Sequence, residues 1–114
     1  MSANYVGTLK KLQRALNNKG YRFLYCTSEF YCEDINRPIT MFYIKHATNV
    51  NGRVDNKVLL KTASQLKALF FLRDILEMSD SEISFDDMIA IALDKQRTYD
   101  FRRDVREHTP YNRG

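Results

Sequence analysis

Asn51-Gly52 interrupts an otherwise strand-like stretch, and no other dipeptide in the chain restricts the fold as much. Both residues tolerate positive φ, which the two central positions of a type I′ turn require, and that turn matches the twist of paired antiparallel strands. Ile39–Val50 (ITMFYIKHATNV) therefore forms a strand, and Arg53–Lys61 (RVDNKVLLK) returns antiparallel beside it. Pairing Val50 with Arg53 sets the register outward from the turn. One face then carries Ile39, Met41, Tyr43, Val58 and Leu60, with Lys45 as its polar exception. The other carries Thr40, Phe42, Ile44, His46, Lys57, Leu59 and Lys61. The first is expected to be the core face. The second, mixing apolar and basic groups, is expected to face outward as an interaction surface.

The flanking segments supply the remaining elements. Leu9, Leu12 and Leu16 recur at spacings of three and four, so Ala3–Lys19 reads as a helix with one apolar stripe, closed by Gly20 as its C-terminal cap. Tyr21–Cys32 (YRFLYCTSEFYC) is rich in aromatic residues that suit a pleated surface and reads as a strand. EDINRP connects it to the next strand. The run SQLKALFFLRDILEM is apolar nearly all round and predicts the central core helix, starting near Thr62 or Ser64. Ser84 with Asp87 forms a short-acid capping box that opens a third helix over Phe85–Lys95. The expected fold is α+β, with an N-terminal helix, a three-stranded antiparallel sheet and two C-terminal helices.

A chain of 114 residues supports one hydrophobic core, so residues 1–95 are read as a single domain. Residues 96–114 are basic, poor in aliphatic side chains and contain Pro110, which suits a frayed helix or a disordered extension. Half of the fourteen Tyr and Phe rings fall between Tyr21 and Tyr43, more aromatic strand surface than one core needs, which suggests a homodimer. No apolar run approaches the roughly 20 residues of a membrane helix, and the first residues lack a signal-peptide core, so a cytoplasmic location is expected. Cys26 and Cys32 would stand roughly 20 Å apart in a strand, too far for a disulfide. With only His46 and His108 to add, no zinc site, other metal site or cofactor is expected.

Charge is the chief functional clue. Residues 1–67 hold eleven basic and four acidic groups, a balance of +7; residues 68–94 hold one and seven, a balance of −6; residues 95–114 return +3, giving the net +4. Concentrated cations are the footprint of phosphate binding. The candidate nucleic-acid-binding residues are Lys10, Lys11, Arg14, Arg22, Arg37, Lys45, Arg53, Lys57, Lys61 and Lys67. Catalysis finds no support: there is no GxSxG, no phosphate-cradling glycine loop, and no His spaced with a carboxylate or Cys as a unit. His46 reads as a strand-end residue, and the Tyr21, Phe23, Tyr25 alternation as core or dimer interface. A helix-turn-helix over residues 64–95 would set Asp86 and Asp87 against phosphates at its recognition helix, which is unfavourable.

The order helix, three antiparallel strands, helix over about residues 8–78 resembles the architecture of the double-stranded-RNA-binding domain. In that family the first helix and the β1–β2 loop touch minor grooves, and basic residues opening the second helix grip phosphates. Lys61-Thr62-Ala63-Ser64-Gln65-Leu66-Lys67-Ala68 takes the place of that helix start, with two separated lysines where the family has a cluster. EDINRP lacks the family's Gly-Pro-x-His element. In overall character the chain also resembles small accessory proteins of Gram-positive phages, plasmids and other conjugative elements. The expectation is a non-enzymatic accessory or regulatory protein binding duplex DNA ahead of RNA, through the first helix, the hairpin tip and the second helix start. The alternative is a protein-binding adaptor or inhibitor that uses an aromatic sheet face.

Overall fold

The computed structural model describes residues 5–107, with side chains to residue 98. The chain forms α1 (Val6–Asn18), β1 (Phe23–Cys32), β2 (Arg37–Val50), β3 (Arg53–Thr62), α2 (Gln65–Met78) and α3 (Phe85–Glu107). This is the expected α-β-β-β-α-α order. The strands make one antiparallel sheet in the order β1-β2-β3. Among the described residues the helices cover one of its faces and leave the other open.

Local chemistry sets the element ends. α1 stops at Lys19 and Gly20, where Gly20 takes φ +106, a backbone region that costs a residue with a Cβ. Asn51 and Gly52 take φ +54 and +80, as a tight hairpin requires. Ser64, and not Thr62, caps α2, its hydroxyl accepting from the Lys67 N–H at 3.3 Å. The Ser84 hydroxyl accepts from the Asp87 N–H at 3.2 Å and opens α3. That helix runs on to Glu107, well past Lys95; residues 108–114 of the expected extension lie outside the described part.

The expected core face is reversed. β1 and β2 pair in a straight register that sets Phe23 opposite His46, Tyr25 opposite Ile44 and Thr27 opposite Phe42, and this side meets the helices. Ile44 and Phe23 are buried there with Leu9, Leu16, Ala68, Phe71, Leu72, Ile75, Ile89 and Ala92. Ile39, Met41 and Tyr43 point the other way. β2 and β3 keep the hairpin register from Val50↔Arg53 to Lys45↔Val58, but the next pair is Ile44↔Leu60. Leu59 is the extra residue of a β-bulge, which shifts everything beyond it by one place. Leu59 and Leu60 thus both pack against the core cluster, and Lys61 moves to the open face beside Tyr43.

β1 is an edge strand, and two amides from α1 cover part of it. Asn17 accepts from the Phe23 N–H at 2.8 Å and donates to the Phe23 carbonyl at 3.0 Å. One turn earlier, Gln13 accepts from the Tyr25 N–H at 2.8 Å. Side chains four apart on a helix thereby satisfy outward groups two apart on a strand, blunting that edge against further pairing. Gln65, opening α2, accepts from the Tyr5 N–H and donates to the Tyr25 hydroxyl, tying both helix starts to the sheet.

Candidate nucleic-acid interface

β2 has 14 residues, and both neighbours have 10. The two hairpins are therefore staggered. Arg37–Met41 pair only with β1, and Ala47–Val50 pair only with β3, so the sheet is three strands wide at its centre, around Phe42–His46. Alternation places Leu24, Cys26, Ser28 and Phe30 of β1 on the open face, with Arg37, Ile39, Met41, Tyr43 and Lys45 of β2 and Val58 and Lys61 of β3. Leu24, Phe30 and Val58 keep 43%, 48% and 46% of their surface exposed.

Tyr43 sits in the three-stranded centre, directly between Cys26 and Lys61. The Lys45 ammonium lies 5.9 Å and the Lys61 ammonium 6.0 Å from its ring centroid. Such contacts at partly exposed sites are worth about 0.5–1 kcal/mol each, which biases the two charges toward the ring without fixing them. No strand residue on this face is a carboxylate: Glu29 and Asp55 pair with Thr40 and Thr48 on the opposite face. Glu33 and Asp34 lie in the turn at the far end, beside Arg37. Among the described residues, the positive charge of this face is thus centred on Lys45 and Lys61 beside Tyr43.

The ten expected cations do not share one surface. Lys45 and Lys61 converge, and Arg37 lies on the same face about 26 Å along β2 from Lys45, at some 3.3 Å per residue. Lys10, Lys11 and Arg14 are exposed on α1. On a helical wheel Lys10 and Arg14 border the Gln13–Asn17 flank that faces the β1 edge. Arg53 and Lys57 are on the helix side of the β2–β3 ribbon with Asp55 between them. Lys57 also lines a groove of about 470 Å³ whose lining includes Asp86 of α3. Lys67 is half-buried in the first turn of α2. Arg22 precedes β1 and is exposed, its carbonyl extending the ladder by accepting from the Ala47 N–H.

His46 is held inside the helix-covered side. Its ring lies 5.0 Å from the Phe23 ring and 4.5 Å from the Phe85 ring, and Nε2 accepts from the Arg22 N–H at 3.3 Å. Burial, and secondarily the Arg22 charge, lower its pKa, so the imidazole is neutral at pH 7. Tyr21 and Phe23 pack at a tilt in the same cluster. Sequence reasoning missed Tyr43 as a surface group because its neighbours looked like core. Lys45, the polar exception on that face, was the available signal.

Among the described residues no group of three or more His, Cys, Asp or Glu side chains could hold a metal ion. Nor is any described helix long and apolar enough to cross a membrane. No family model matches the chain, and no curated protein or solved structure matches it.

Proposed function

We propose that this chain is a non-enzymatic nucleic-acid-binding accessory protein whose phosphate contacts centre on the open face of the sheet. One observation carries the reading: the strands present Lys45 and Lys61 beside a partly exposed aromatic ring, with Arg37 farther along the same face, and no strand residue there is a carboxylate. An anionic polymer that brings both phosphates and apolar rings matches this combination. The charge also argues against a face-to-face homodimer, which would cover Lys45 and Lys61 of both copies with no strand carboxylate beside them.

The test is binding of fluorescein-labelled mixed-sequence oligonucleotides, followed by anisotropy from about 50 mM salt upward. Neutralising several phosphates makes log K fall linearly with log salt, by about 0.7–0.9 per phosphate contacted. Lys45→Glu and Lys61→Glu should weaken every oligonucleotide and flatten that slope. Lys10→Glu, Arg14→Glu and Arg53→Glu measure the helix and hairpin-tip cations. Larger losses from these three would move the interface to α1 and the ribbon. An absence of retention at low salt removes the reading and leaves the same exposed apolar face to a protein partner.

A further inference from the structure

Granting the nucleic-acid reading, we infer that the ligand of the open face is single-stranded DNA, with an unpaired base stacked on Tyr43. The first ground is width. A major groove of about 12 Å admits a helix or a two-stranded ribbon. Tyr43 stands where the sheet is three strands wide, with Cys26 on one side and Lys61 on the other. At about 4.8 Å between strands plus outer side chains, this part of the sheet does not fit the groove. In a duplex the stacked bases offer only their edges, whereas a splayed base presents its whole face to the Tyr43 ring.

The second ground is the pairing of ring and charge. Both lysines sit about 6 Å from the ring centroid on long, flexible stems. They can swing off the ring to the phosphates on either side of a stacked nucleotide. Phe30, on the same face four residues along β1 from the level of Tyr43, stands about 13 Å away and extends the apolar track. The third ground concerns the sugar. The four side chains nearest Tyr43 on this face, Cys26, Met41, Lys45 and Lys61, contain no oxygen to accept from a ribose 2′-hydroxyl. Apart from the Tyr43 hydroxyl itself, ribose there would leave its 2′-hydroxyl to water, whereas deoxyribose asks for no partner.

The experiment titrates the full chain with a 12-nucleotide single strand as DNA, the same sequence as RNA, and the corresponding DNA duplex. A single strand carrying 2-aminopurine reports stacking directly. The expected result is at least ten-fold tighter binding of the DNA strand than of either rival, with 2-aminopurine quenching. Tyr43→Thr, which keeps a strand-favouring side chain, should lose about ten-fold or more on the single strand alone. Tyr43→Phe should stay within about two-fold, because stacking needs only the ring. Lys45→Gln with Lys61→Gln should weaken strand and duplex alike. Duplex bound as tightly as single strand, with Tyr43→Thr silent and no quenching, overturns the inference while the nucleic-acid reading stands. Tighter RNA binding overturns the choice of sugar, and no binding to any of the three removes both readings. The quenching signal uses the unmodified chain, so the outcome survives a variant that fails to fold.

Discussion

Replacing Asn17 by alanine removes both bonds that clasp Phe23, the 2.8 Å acceptance from its N–H and the 3.0 Å donation to its carbonyl. The site is part-buried, so water only partly replaces them. At about 1 kcal/mol for each lost bond the cost is roughly 2 kcal/mol. Asparagine to alanine also gains up to about 0.6 kcal/mol of helix propensity, which must be subtracted. Asn18→Ala supplies that correction, since Asn18 is an exposed neighbour in the same helix turn. The difference between the two variants in urea denaturation should therefore be about 2 kcal/mol. For a domain of this size that is roughly 8–10 °C in melting temperature. Asn17→Asp keeps the acceptor for the N–H but turns a carboxylate oxygen toward the Phe23 carbonyl, and should be less stable than wild type. A difference below about 0.5 kcal/mol would refute the Asn17 clasp and leave α1 attached through Gln13 and its packed leucines.

Ile44→Ala should cost about 2–5 kcal/mol and Met41→Ala under about 1 kcal/mol in the same denaturation assay, because Ile44 is fully buried and Met41 is on the open face. Equal costs would mean that both sheet faces are covered. His46 gives a pH dependence. Its folded pKa lies below the unfolded value of about 6.5, so on acidification the unfolded chain takes the proton first and stability falls as pH drops below about 6.5. His46→Gln should flatten the change in urea midpoint between pH 7 and about 5.5, above the range where ordinary carboxylates titrate.

Wherever one residue type decides the backbone, the fold was legible. Asn51-Gly52 dictated the hairpin, Gly20 the end of α1, and Ser64 and Ser84 the starts of α2 and α3. The candidate site was less legible because it depends on which face each residue takes. Ile39, Met41 and Tyr43 are as apolar as Phe42 and Ile44 are, so hydrophobicity alone does not choose between the two faces of β2. The choice comes from Phe23 and Tyr25, which pack with Ile44 beneath α1 and α2. Gln13 and Asn17 looked like ordinary polar helix positions, because the edge they satisfy exists only in the folded sheet. The cations behaved likewise. Lys57 and Lys61 are four apart and would share a face on a regular strand, yet they lie on opposite sides of this one.

That last separation joins the fold to the proposed interface. Without the extra residue, the hairpin register pairs Ile44 with Leu59, Tyr43 with Leu60 and Phe42 with Lys61. Leu60 would then lie exposed beside Tyr43, and the Lys61 ammonium would be driven against the helices at the cost of burying a charge. The bulge at Leu59 resolves both problems in one step, sending two leucines inward and one lysine outward. The cost is a local break in the ladder, tolerable because β3 is an edge strand with pairing on one side only. The burial that drives Leu59 and Leu60 into the core therefore also assembles the second cation beside Tyr43. A substitution that straightened β3 would disturb stability and the open face together.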